Sequence, residues 1–279
     1  MRRSRLLIFL GVLLLAAVAV AGCGSEETTV GVVTGTTFGE FAERFTEVDE
    51  VKYYRDDNLT LQELSTGRVS AVITDRLVGV IAIQEGNFSE IEPVGDFLYT
   101  ETIAVAIRQE DAALRQAINE ALAEIIADGT YADISEKYFG RDILEGIEYE
   151  LTFPDEPAAN DDSLQRVLDA GEITFAMSGG YPPFNYYNES NELTGFDVEI
   201  GEAVAERIGV AYTPVTTDWS GILEGLRSGR YDGIFGSMAI TPERLEVVSF
   251  TDPYYYSGAQ LFVKEGSWIT GPQDLGYEE

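Results

Sequence analysis

Apolar residues in this chain recur in two patterns. Short apolar-rich stretches at 30–33, 69–74, 102–107, 173–177, 231–235 and 261–263 predict buried strands. Between them, three sets sit at helical spacing: Phe38, Phe41 and Phe45; Leu114, Ile118, Leu122 and Ile125; and Phe196, Ile200, Val204 and Ile208. Shorter helices are predicted at 60–66, where Thr60 and Glu63 form a capping box closed by Gly67, and at 77–84, 131–138, 164–168 and 222–228. Residues 186–194 read as a hairpin around Asn188. Strands alternating with helices throughout predict an α/β architecture. The period fails over 146–162 (GIEYELTFPDEPAANDD), an acidic stretch with two prolines that reads as a linker.

The first 22 residues follow a third pattern. Arg2, Arg3 and Arg5 precede an unbroken apolar run, 6–20, which is short for a membrane span and right for an export signal. The run ends in Val20-Ala21-Gly22-Cys23, which resembles the lipobox of bacterial lipoproteins. By that resemblance Cys23 becomes the lipid-modified first residue of the mature protein, with 23–28 as a tether. The expected location is then the periplasmic or extracellular face of the cell membrane, held by a lipid anchor.

Charge narrows the choice of partners. Across 279 residues, Lys+Arg is 18 and Asp+Glu 49, a formal net charge of −31. Removing the three arginines of the signal leaves −31 − 3 = −34. A surface for nucleic acid or for anionic lipid is excluded on that balance. The chain has no histidine, which removes imidazole catalysis and His-ligated metals, and one cysteine, which removes an intrachain disulfide. No cofactor and no metal are expected.

Candidate chemistry concentrates in 228–256. The strand 231–235 is expected to break at Gly236-Ser237, and Thr241-Pro242-Glu243-Arg244 reads as a helix start with Thr241 as N-cap and Pro242 in the first turn. Arg244 then opposes the helix dipole, a placement explained either by a solvated pair with Glu243 or Glu246 or by an anion that the guanidinium holds. A second candidate is the turn Thr34-Gly35-Thr36-Thr37, between a strand and a helix N-terminus, where free N–H groups can cradle an anion. Asp75 lies where the strand 69–74 runs out, the usual position of ligand groups in open α/β sheets. An internal echo, Gly67-Arg68-Val69 beside Gly229-Arg230-Tyr231, predicts two similar lobes with a cleft between facing strand ends.

Taken together, the motifs resemble the extracellular solute-binding proteins that serve polar amino acid ABC importers. They are Tyr181-Pro-Pro-Phe184, Leu193-Thr-Gly-Phe-Asp-Val198, Trp219, Ser228-Gly-Arg-Tyr-Asp232, Thr241-Pro-Glu-Arg244, Phe250-Thr-Asp-Pro-Tyr254, Val30-Gly-Val-Val-Thr-Gly-Thr-Thr37 and the stretch from Gly67 to Asp75, with Asp128-Gly-Thr-Tyr131 and Lys137-Tyr-Phe-Gly140. The family order is reversed here, since the segment like 164–275 normally precedes the one like 30–143. The resemblance therefore implies a circularly permuted, two-lobed periplasmic-binding fold of type II with two hinge strands, near 102–106 and 258–263. Lobe B would comprise 29–103 and 261–279, and lobe A 104–145 and 163–260, with 146–162 joining the usual termini. A rearranged tandem gene is the rival account; one export signal and one complete set of motifs favour permutation.

The resemblance also implies a site. Arg244 would take a ligand α-carboxylate, Thr36 and Thr37 would add donors, and Asp75 would accept the α-ammonium. Tyr181 and Trp219 would flank the side chain, with Gly236 and Ser237 exposing backbone to it. Two departures stand out: Ala239 replaces a frequent hydroxyl, and Ser178 stands where members selecting cationic amino acids carry an acid. A neutral or acidic amino acid is accordingly expected, delivered by a monomeric, non-enzymatic protein to ABC permease subunits. The alternatives are a dehydratase-like enzyme on the same scaffold and an input module for a separate signalling chain.

Overall fold

A computed structural model describes residues 27–86, 88–146 and 161–277. The export signal, Cys23 with most of its tether, and most of the linker lie outside the described residues. In chain order the first half carries β1 (Thr29–Val33), α1 (Thr37–Ala42), β2 (Glu50–Tyr54), α2 (Asp57–Ser65), β3 (Ala71–Asp75), α3 (Arg76–Gln84), β4 (Ile91–Ile107), α4 (Ala112–Ala127) and α5 (Thr130–Phe139). After the linker come α6 (Ser163–Ala170), β5 (Glu172–Met177), β6 (Gly180–Tyr181), β7 (Asn185–Tyr187), β8 (Leu193–Thr194) and α7 (Phe196–Ile208). The chain continues with β9 (Ala211–Thr216), α8 (Ile222–Arg227), β10 (Gly233–Ala239), α9 (Pro242–Leu245) and β11 (Ser249–Lys264).

The mixed α/β alternation builds one eight-stranded sheet, ordered β2-β1-β3-β11-β4-β10-β5-β9, and a small sheet of β6, β7 and β8. Its centre is the antiparallel ribbon of β4 and β11, paired from Ser249↔Ile107 to Lys264↔Ile91. At one end β11 adds β3 through Ala259–Phe262, and β1 and β2 follow in parallel. At the other end β4 adds β10 through Ile103–Ile107, then β5 and β9. Two lobes thus share two long strands. Between the two sets of pairings, Thr100 and Glu101 of β4, just upstream of the expected 102–106, face Gly258 and Ser257 of β11, at the start of the expected 258–263.

The physical reasons for the differences are local. The first ten residues of β4 precede the crossing with mostly exposed side chains, so they carry no apolar run to predict. β2 is an edge strand without a buried face, and it too lacks a periodic signal. The helix expected at 60–66 starts earlier: Asp56 is the N-cap and accepts the Leu59 N–H at 2.9 Å, while Thr60 sits inside the helix and donates to the Asp57 carbonyl. β10 does not end at Gly236-Ser237. It runs through them as a bulge, with Ser237 at φ 58 and a register shift against β4.

Each lobe has its own core. Ile118, Leu122 and Ile125 of α4 pack with Phe196, Ile200 and Val204 of α7, and Ile173 and Phe175 of β5, on one face of lobe A. Val30, Phe38, Phe41, Ile73 and Leu261 form the corresponding core of lobe B. The segments flanking the linker close on each other. Ile143 and Leu144 share a core with Val167 of α6, Asp161 and Ser163 accept the Ala113 and Leu114 N–H groups at 2.9 Å, and Arg166 reaches the buried Asp111 at 2.7 Å. In lobe B, Glu47 N–H donates to the Leu275 carbonyl and Asp49 N–H to that of Thr28. Among the described residues, no helix is long and apolar enough to cross a membrane.

Candidate functional site

The lobes meet around a cavity of about 50 Å³, which opens into a groove of about 610 Å³ sharing Arg55, Asp56, Ser178, Gly180 and Trp219 with it. Lobe B contributes Val33, Thr36, Thr37, Phe38 and Arg55 to Asp57; lobe A contributes Ser178, Gly180, Tyr181, Trp219, Gly236, Ser237, Ala239 and Arg244; β4 contributes Glu101 at the crossing. The lobes are in contact at its rim, where the Trp219 indole N–H donates to the Gly35 carbonyl at 3.1 Å.

Arg244 is placed by its helix start. Thr241 Oγ1 accepts the Arg244 N–H at 3.2 Å, so Thr241 is the N-cap and Pro242 occupies the first turn. One guanidinium nitrogen donates to the Ala239 carbonyl at 2.7 Å, and the guanidinium carbon lies 5.9 Å from the Trp219 ring centroid. Burial lowers the pKa of this guanidinium, and the Glu101 carboxylate is the foremost group opposing that shift. Arg244 is therefore a cation in a desolvated wall, facing a carboxylate, with no partner acid within ion-pair distance among the described residues.

Ser237 and Gly236 expose the bulge to the cavity. A Cβ on Gly236 would lie 3.0 Å from Met177 Cα, so only glycine lets β10 approach β5 so closely there. Ser237 is held in its left-handed conformation from behind. Its hydroxyl donates to Asp197, its N–H to the Tyr254 hydroxyl, and Tyr254 and Asn185 also donate to Asp197, all at 2.8–2.9 Å. Asp197 is fully buried at the start of α7, and burial raises its carboxyl pKa to about 7. Sequence reading reached the motif holding Asp197 but gave the residue no role; its position between Gly195 and the Ser237 bulge shows that role only in three dimensions.

Of the expected ligand residues, Asp75 alone is off the wall. It is 1 % exposed and caps α3 by accepting the Leu77 N–H at 2.7 Å, with burial lifting its pKa to about 7. The carboxylates that do line the cavity are Asp56, Asp57 and Glu101. Glu101 is 8 % exposed and accepts from Thr37 Oγ1 at 2.5 Å; burial raises its pKa, against the pull of Thr37 and Arg244. Asp57 is 4 % exposed, accepts from Thr74 Oγ1 at 2.5 Å, and is raised to about 7, again mainly by burial.

The remaining expectations are modified in detail. The Thr37 hydroxyl is committed to Glu101, and that of Thr36 to the Val33 carbonyl at 2.7 Å, so neither is a spare donor. Helix α1 has only six residues, too few for its end to act as an anion site alone. Tyr181 lies on Phe184 at 5.2 Å in a stacked arrangement, and burial together with Asp75, Asp57, Glu101 and Asp197 pushes its hydroxyl pKa well above the ordinary value. Ser178 donates to Asn185 Oδ1 at 3.0 Å, and Ala239 offers the cavity no hydroxyl. The adjacent pair Asp56-Asp57 was the signal available for the missed acids, hidden by placing the helix start three residues late.

The chain is 35 % identical over 109 residues to the L-cystine-binding protein TcyJ of Escherichia coli (strain K12), a match covering 39 % of this chain and 41 % of that protein. It is 35 % identical over 101 residues to the L-arginine-binding protein of Pseudomonas aeruginosa, covering 36 % and 39 %. Among solved structures, the arginine-bound form of truncated ArgBP from T. maritima is similar at 33 % identity and a TM-score of 0.32, covering 33 % of this chain and 43 % of that one. The chain thus spans about two-fifths of the length of each of these relatives. The profile of the bacterial extracellular solute-binding proteins, family 3, matches residues 25–141 and 173–274, on both sides of the acidic linker. With most of its length matched in this way, the chain belongs to that family.

Proposed function

We propose that the protein binds a small α-amino acid in the inter-lobe cavity and delivers it to an ABC importer. The observation that carries this reading is the desolvated Arg244 facing a cavity that Glu101 also lines. A zwitterion supplies both missing partners: its carboxylate pairs with the guanidinium, and its ammonium with Glu101, which takes over the part assigned to Asp75. Because Arg244 belongs to lobe A and Asp57 to lobe B, such a ligand makes contacts only the closed state offers, which is a sufficient cause for closure.

The ligand class needs one change. Ser178 brings no acid to the cavity, as expected, but lobe B brings two carboxylates to it and the β4 crossing a third, which disfavours an acidic amino acid. The reading also includes the permuted order. In its support, the family profile matches in two blocks around the linker, and residues 28 and 275 both bond to the segment 47–49. Lipid attachment through Cys23 and export to the outer face complete the proposal.

Calorimetry across the twenty amino acids tests it, with Arg244→Ala as the decisive variant. Removing one partner of a buried charge pair costs about 2–5 kcal/mol, so affinity should fall by roughly 30-fold or more, with the thermal midpoint little changed. Unchanged affinity in that variant removes the site. Turnover of a prephenate-like acid, measured in parallel, would replace binding by the dehydratase reading.

A further inference from the structure

We infer that the ligand is an α-amino acid with a positively charged side chain, and that Asp57 is the residue selecting it. This deepens the proposed function and rests on it. Arg244 and Glu101 between them use up the two charges of a plain zwitterion. Asp57 remains: a carboxylate 4 % exposed, on the same cavity wall, whose neighbours are Thr74 and a second acid, Asp56, with no cation among them. Thr74 Oγ1 donates to Oδ1, and no second side chain among the described residues bonds the carboxylate.

Asp56 does not relieve it. Its own oxygens are occupied by the Leu59 N–H at 2.9 Å and by the Arg55 guanidinium at 3.0–3.1 Å. Leaving a buried carboxylate uncompensated when the cleft closes over a neutral side chain is costly, whereas a cation placed against it recovers that cost as a charge-assisted hydrogen bond. The position is also right. Asp56 faces Gly180 across the cleft, where a Cβ on Gly180 would lie 3.1 Å from the Asp56 Cβ. Asp57 therefore enters from lobe B opposite the Ser178–Tyr181 segment, and supplies from the other lobe the acid that position 178 lacks. The Tyr181 ring, on the same wall, offers the cation an aromatic face.

Arginine and citrulline, which share length and shape but differ in charge, provide the test. Calorimetry on the wild-type protein should show arginine binding at least ~10-fold tighter than citrulline. In Asp57→Asn, which keeps the acceptor for Thr74, that preference should fall to roughly twofold or less while the thermal midpoint holds or rises. Citrulline binding as tightly as arginine to the wild type overturns the inference without needing any variant, and so does a preference that survives in Asp57→Asn. If neutral amino acids bind and arginine does not, Asp57 is not a selector but the amino acid reading stands. If none of the twenty binds, that reading itself has failed.

Discussion

At the residue scale, the shape of the cavity wall depends on groups that do not line it. Asp197 receives three side-chain donors and thereby holds Ser237 in a left-handed conformation that a non-glycine residue rarely adopts. Replacing it by alanine would leave buried donors without an acceptor, at about 1–3 kcal/mol for each unsatisfied group. Asp197→Ala should lower unfolding free energy by about 3 kcal/mol in urea titrations and weaken amino acid binding, as Ser237 is released. Asp197→Asn, of the same shape, should lose less. The sequence marked Arg244, Trp219, Tyr181 and the Gly236-Ser237 turn, because each breaks a local rule or carries a family motif. Asp57 and Glu101 escaped, since a carboxylate in an acidic chain is unremarkable until its burial is known.

At the scale of elements, α4 and α6 illustrate how the linker's two sides are fastened. The Leu114 N–H at the start of α4 has no partner within its own helix and finds Ser163 Oγ, the first residue of α6, in a buried contact. Ser163→Ala should cost about 1–2 kcal/mol, read as a shift of the urea midpoint, because a buried N–H loses its acceptor. Arg166 on the same helix is held to Asp111, which Arg108 also grips at 2.6 Å. The small helices and buried strands were legible because their periodicity is local. β4 and β11 were read as six- and three-residue strands instead of seventeen and sixteen, because a ribbon that passes between lobes alternates between two environments and keeps no single pattern.

At the scale of the whole molecule, acidity and burial act together on pH dependence. Asp57, Asp75 and Asp197 have carboxyl pKa values raised to about 7 by burial, well above the ordinary 3.8. Between those values the native state holds protons that the unfolded chain has released, so stability falls as pH rises through that window and levels off above it. Self-repulsion at a formal charge of −31 works in the same direction. The ligand-free protein should accordingly melt at a higher temperature near about pH 5 than near about pH 8, and added salt should narrow the gap. A melting temperature that rises with pH across that interval would contradict the burial of these acids.

The sequence by itself determined the α/β alternation, the family motifs and the arginine at the start of α9, because each is written in nearest-neighbour spacing or residue type. Only the tertiary structure decided which acids face the cavity. Asp75 turns inward to cap α3, while Asp57 and Glu101, 44 positions apart in the chain, come to one wall through the pairing of β3, β11 and β4. Whether a carboxylate is solvated, capping a helix or waiting in a cavity depends on what covers it. That is settled by contacts between residues distant in sequence, which no local pattern records.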